Sequence, residues 1–170
     1  MDFMELAAAR YSVRKFDERP IEPEKLEKIL RAGLIAPTAK NQQPQRVFVI
    51  RSAEAIEKLK TCTQCVYGAG TVLLICYDAN ESWKRPFDGK DSGDVDTSIV
   101  LTHMMLEAWE QGVGSVWVMF FDADKLRKAF DLPENLIPVS LMPIGYPAPD
   151  AAPSPRHAES RPENELVCYL

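Results

Sequence analysis

No stretch of this sequence stays apolar long enough to span a bilayer. Its opening, Met1-Asp2-Phe3-Met4-Glu5, lacks the charged-then-apolar order of a secretion signal. Basic charge is also short: 20 Lys and Arg face 25 Asp and Glu, for a formal net charge of -5. That balance excludes a general nucleic-acid surface, and any anionic ligand must be met by positive charge gathered locally. Histidine is scarce, with two residues, and the pair Cys62 and Cys65 has no second CxxC, so no metal site is expected. Cys62, Cys65, Cys76 and Cys168 read as free thiols of a reducing compartment. No acid–base triad and no internal repeat is visible. A cytoplasmic enzyme or binding protein, with no nucleic-acid or membrane partner, is the expectation.

What is present is enough chain, 170 residues, for one domain with a real core. Residues 1–170 are read as a single domain, with 147–170 as an extended C-terminal arm. Near the start, Arg10-Tyr11-Ser12-Val13-Arg14-Lys15-Phe16 sets two guanidiniums and a hydroxyl at alternate positions. In extended backbone, alternate side chains share a side, so Arg10, Ser12 and Arg14 can converge on one anion. A solvated charge cluster leaving a first helix is the plainer reading of these seven residues alone.

Good helix formers fill Phe3 to Ala9. A second helix starts at Pro23, is expected to bury Leu26, Ile29, Leu30 and Leu34 at helical spacing, and stops by Pro37. Pro37-Thr38-Ala39-Lys40-Asn41-Gln42-Gln43-Pro44 is a polar loop whose amides and hydroxyls can read a ligand. A strand follows at Val47–Ile50, then a helix from Ser52 to Lys60 with Ser52 as its cap. The unbroken apolar run Thr71–Tyr77 predicts an interior strand. Residues 78–93, with Trp83, Lys84, Arg85 and Phe87, form an excursion: either a cap on a site or a surface loop. The longest helix runs from Asp94 to Gln111 and is closed by Gly112. It is apolar on more than one side, which predicts burial against more than one neighbour. A strand at Ser115–Phe121, a helix capped by Asp122, and a strand at Leu136–Ile144 complete the sheet. Pro138 and Pro143 place part of that last strand near an edge. A proline-rich arm ends in Leu166-Val167-Cys168-Tyr169-Leu170, read as a strand that can reach a partner subunit. His103 reads as a core or interface residue and His157 as a solvated one.

Four pieces in order carry a resemblance. They are Arg10-x-Ser12-x-Arg14-x-Phe16, Pro37-Thr38-x-x-Asn41-x-Gln43-Pro44, Gly112-Val113-Gly114-Ser115-x-Trp117 with Phe121-Asp122, and Pro143-Ile144-Gly145-Tyr146-Pro147. Together they resemble the nitroreductase family of FMN-dependent oxidoreductases over nearly the whole chain. The resemblance implies an α+β fold with a mixed central β-sheet flanked by helices, built as an intertwined homodimer with two FMN at its interface. It implies that Arg10 and Ser12 hold the FMN phosphate and Arg14 lies over the ribityl chain and pyrimidine edge. Pro37, Thr38, Ala39 and Asn41 line the flavin from the other subunit, and Gln64 faces its pyrimidine. Met119 and Phe120 fall near flavin N5 and O4, where many relatives carry a small residue. A C-terminal cation completes the phosphate site, Arg161 first and Arg156 second. The implied activity is transfer of hydride from NADH or NADPH to nitroaromatics, quinones or similar acceptors by a ping-pong mechanism. Other chemistry on the same fold, reductive dehalogenation or flavin fragmentation, stays open, as does a non-catalytic FMN-binding protein. Cys62 and Cys65 read as structural thiols, with a redox role beside the flavin as the second possibility.

Overall fold

The computed structural model describes residues 2–170. Its helices begin where side chains can cap them. Helix α1 (Phe3–Ala9) opens on a capping box in which Asp2 accepts from the Glu5 N–H and Glu5 accepts from the Asp2 N–H. Ser52 caps α3 (Ala53–Lys60) by accepting from the Ala55 N–H at 3.2 Å. Asp122 caps α5 (Ala123–Ala129) through the Lys125 N–H at 3.0 Å. Helix α2 (Pro23–Leu34) starts on proline, whose missing N–H costs nothing in a first turn. The longest helix, α4 (Gly93–Glu110), ends where Gly112 turns left-handed at φ 71° and the Val113 N–H returns to the Ala108 carbonyl at 2.8 Å.

Four strands form one sheet in the order β1–β2–β4–β3: β1 (Gln45–Ile50), β2 (Thr71–Asp78), β3 (Gly114–Ser115) and β4 (Leu136–Gly145). Strand β2 lies inside, paired with β1 through Val47↔Ile75 and with β4 through Leu74↔Leu141. Its alternate side chains divide the core in two. Val72, Leu74 and Cys76 pack with Val13, Leu59, Leu126 and Leu141 on the face covered by α3 and α5. Leu73 and Ile75 pack with Ile29, Leu101, Met104 and Met142 on the face covered by α2 and α4. Both faces being buried, the strand reads as a continuous apolar run. Gly33 lets α2 and α4 meet closely, since a Cβ there would lie 2.0 Å from the Met104 methyl carbon.

Three differences from the sequence reading have physical causes. The strand expected over Ser115–Phe121 is two residues long, followed by one bridge, Val118↔Leu141. The Val116 N–H still donates to the Pro143 carbonyl at 3.2 Å, but Pro143 has no N–H to return, so the ladder breaks. The expected mixed sheet is antiparallel in all its named strand pairs, its parallel component being the single bridge Ser12↔Ser115. The strand expected at Leu166–Leu170 is not formed within the chain. One helical turn, α6 (Glu163–Leu166), leads instead into an extended end, and every residue from 152 to 170 is exposed.

Candidate functional site

After α1 the backbone extends, and Val13 and Phe16 turn into the core. The Val13 N–H donates to the Ser115 carbonyl at 2.9 Å, which fixes the segment against β3. Arg10, Ser12 and Arg14 alternate with buried Val13 and stay on the open side of this stretch, before the chain turns Phe16 inward. They line a cleft of about 220 Å³ together with Tyr11, Ser154, Arg156 and His157. Tyr11 stands edge-on to Trp109 of α4 (5.2 Å between ring centres, 72°) and to His157 of the arm (6.3 Å, 62°), so the rings pin the arm over the motif.

The charges of the motif divide sharply. Lys15 is paired with Asp150, and that bond holds the Asp150 carboxyl below the usual carboxylate range. Arg14 reaches only the Ser12 carbonyl, at 3.5 Å. Among the described residues no carboxylate pairs with the guanidiniums of Arg10, Arg14 or Arg156. Three free guanidiniums in one cleft of a chain with net charge -5 make a fitting receptor for a phosphate dianion. Arg161 lies outside it: its guanidinium grips Glu165 at 2.7 and 3.0 Å on the exposed end of the arm. Arg156 takes the place in the cleft, flanked by Ser154 and His157, which the proline-rich register concealed.

The second group sits elsewhere. In the Pro37–Pro44 loop, Lys40, Asn41 and Gln43 all have positive φ, 51°, 55° and 50°. Only asparagine takes that conformation readily, so surrounding bonds must impose it. They do: the Ala39 N–H donates to Asp96 Oδ1 at 2.8 Å, and the Gln43 N–H to Thr38 Oγ1 at 3.0 Å. The Gln43 amide also donates to Asn41 Oδ1 at 3.0 Å, and Pro37 and Asn41 stand exposed. Asp96, almost fully buried in the first turn of α4, is held further by the Ser92 hydroxyl at 2.7 Å. The polar loop is thus fastened to the start of α4, whereas the arginine cleft reaches its end through Trp109. Trp109 lies thirteen residue steps beyond Asp96 along the helix, or about 20 Å. One chain does not bring both groups to one small ligand.

Gln64 is exposed in the turn after α3, and Met119 and Phe120 are exposed in the segment before α5. These two patches are joined by Thr63, whose hydroxyl donates to the Phe120 carbonyl at 2.5 Å. Only its place beside Gln64 pointed to it in the sequence. Cys62 is buried, Cys65 half-buried, and both are free thiols. Tyr67 lies between the Cys65 thiol and the Arg14 guanidinium; its bond to Cys65 and its burial push the phenol up, and Arg14 pulls it back.

The excursion is ordered. Lys84 bridges Asp91 as in a hairpin, Lys84 Nζ meets the Asp91 carboxylate at 2.8 Å, and Arg85 makes a fork with Asp88. With Ala39, Val95 and Ile99, its Trp83, Arg85 and Lys90 enclose a cleft of about 330 Å³ beside the polar loop.

Comparison with known proteins bears on this arrangement. The family model described as Nitroreductase family matches residues 7–64 and 60–146. A solved nitroreductase family protein from Clostridium difficile 630 is 46% identical, with a TM-score of 0.93 over 99% of this chain and 98% of its own. A nitroreductase-type protein from Desulfovibrio desulfuricans, solved in complex with FMN, is 25% identical, with a TM-score of 0.84 over 98% of this chain and 95% of its own. A protein of Archaeoglobus fulgidus bearing the name NADH dehydrogenase/NAD(P)H nitroreductase is 32% identical over 151 residues, 85% of this chain and 84% of its own. With a family model spanning most of its length and relatives at this identity and coverage, the chain belongs to the nitroreductase family.

Proposed function

We propose that the protein is an FMN-dependent oxidoreductase that draws reducing equivalents from NADH or NADPH and passes them to nitroaromatics, quinones or similar small acceptors. The observation that supports this most is the cleft with three uncommitted guanidiniums, in a family whose solved members include FMN complexes. When bound, FMN supplies the hydride chemistry. Arg10, Ser12 and Arg156 hold the phosphate, and Arg14 stands at the pyrimidine edge, where its charge raises the cofactor's midpoint potential. Gln64, Met119 and Phe120 border the ring from the same chain.

Pro37, Thr38, Ala39 and Asn41 sit at the far end of α4, so they border a flavin held by the other chain. Two copies with their α4 helices antiparallel bring the arginine cleft of one beside the polar loop of its partner. The homodimer is then the unit that holds cofactor, one FMN per chain. The excursion carrying Trp83 stands beside that loop and shapes the opening through which donor and acceptor come and go in turn, a ping-pong order. The deciding experiment is spectroscopic. Purified protein is yellow, NADH or NADPH bleaches it without oxygen, and a quinone or nitroaromatic restores the colour. A flavin that stays oxidised under both nicotinamides refutes the reductase reading and leaves a binding protein.

A further inference from the structure

The turn between α3 and β2 touches three separate parts of the candidate site. Thr63 is buried within it, 6% exposed, and its hydroxyl is used twice: it donates to the Phe120 carbonyl at 2.5 Å and accepts from the Cys65 N–H at 3.0 Å. One residue earlier, the Cys62 carbonyl accepts from the Asp122 N–H at 2.9 Å. The turn is therefore fastened to the chain on both sides of Phe121. At its other end Tyr67 has φ 56° and Gly68 φ 80°. Two successive left-handed residues reverse the chain, and the Tyr67 carbonyl accepts from the Phe16 N–H at 3.3 Å. Glycine adopts that conformation freely, but a tyrosine does so only when held there. The Tyr67 ring packs against the core. Arg14 makes one hydrogen bond, to the Ser12 carbonyl at the outer limit of hydrogen bonding.

We propose that Thr63 is a positioning residue through which the 62–68 turn holds Met119–Phe120 at a fixed spacing from Gln64 and the Arg10–Phe16 segment around the flavin ring; this rests on the FMN reading above. Arg14, Gln64 and Met119–Phe120 come from three distant parts of the sequence. To act on one rigid plane they need a common support. This turn carries Gln64, bonds to the Phe120 carbonyl through Thr63, and bonds to the segment that bears Arg14 through the Tyr67 carbonyl. A strained tyrosine backbone beside a candidate site is what such support looks like. The Thr63 hydroxyl fixes the 119–120 backbone, and the Tyr67 carbonyl fixes the backbone of Phe16, two residues beyond Arg14.

The test uses full-length protein and substitutions that keep shape while removing one hydroxyl. Thr63→Val should weaken FMN binding by about three- to tenfold, the loss of an ordinary hydrogen bond. Thr63→Ser, which keeps the donor, should restore it. In cofactor-free protein, amide exchange at Cys65 and Asp122 should quicken in Thr63→Val and not in Thr63→Ser. A Thr63→Val variant that binds FMN with wild-type affinity while losing only thermal stability overturns the proposal, leaving an ordinary structural turn. Should Thr63→Val fail to fold, Thr63→Ala takes its place in the same titration, and wild-type affinity there overturns the proposal. A wild type that takes up no FMN overturns the parent reading, and this one with it.

Discussion

Substitution of the four cations around the N-terminal motif separates the phosphate cleft from its surroundings. Arg10 is half-buried and lines the cleft with Arg156, and neither has a carboxylate partner among the described residues. Lys15 is committed to Asp150 and Arg161 to Glu165. A hydrogen bond to a charged group contributes about 1.5–3 kcal/mol, and each 1.4 kcal/mol is tenfold in affinity. The cleft is open to water, so the lower end of that range applies. Arg10→Ala and Arg156→Ala should each weaken FMN binding about tenfold, and Arg10→Ala more, because it is less exposed. Lys15→Ala and Arg161→Ala should change it less than about twofold, since each cation is already neutralised and screened at physiological salt. The assay is titration of cofactor-free protein with FMN, followed by quenching of flavin fluorescence at two salt concentrations. An Arg161→Ala variant as weak as Arg156→Ala would refute the assignment and return the phosphate to the distal arm.

Leu73 is fully buried between β2 and the α2–α4 layer, so Leu73→Ala should cost about 3 kcal/mol in urea unfolding with the slope unchanged; a loss under about 1 kcal/mol contradicts the packing. Burial pushes the Cys76 thiol up to about 12, so at pH 8 only about one in ten thousand is thiolate. Alkylation of native protein should therefore label half-buried Cys65 before Cys76, and leave Cys76 untouched until unfolding. Truncation after Pro155 removes Arg156, His157 and the exposed apolar end together. Sedimentation should move toward monomer or aggregate with loss of FMN, and a truncated protein that stays dimeric and loaded contradicts the exchanged arm.

Much of this was written locally in the chain. Strand β2 was legible because both of its faces are buried, and α3 and α5 because Ser52 and Asp122 are cap residues that do cap. What failed locally depended on a neighbour. Val116-Trp117-Val118 has strand composition, yet its pairing partner offers Pro143, and no property of the segment itself reveals that. The apolar end Leu166–Leu170 has the pattern of a strand but meets no sheet edge in its own chain. In the candidate site, the alternation of Arg10, Ser12 and Arg14 was readable because extended backbone has a fixed period. The choice between Arg156 and Arg161 was not, because prolines in the arm remove any period. Thr63 was invisible for a different reason: its importance lies in a carbonyl 57 residues away.

The relation of the two ligand-facing groups could only come from three dimensions, and it carries the argument for two chains. The Asp96 carboxylate binds the polar loop at one end of α4, and Trp109 seats the arginine cleft at the other. One attachment is a hydrogen bond and the other an edge-on ring contact, and together they set the two groups at opposite ends of the helix. Between them one face of α4 is left open by its own chain. Val95 is half exposed, and Ser98, Ile99, Thr102 and His103 line an open groove of about 440 Å³. A helix this apolar, with α2 and the sheet on one side only, lacks a neighbour on the other. In the homodimer proposed above, a second α4 laid antiparallel there would cover that face and pair each arginine cleft with a polar loop. Within this proposal, burial of the α4 face and completion of the flavin site are the same event, so conditions that separate the chains should release the cofactor.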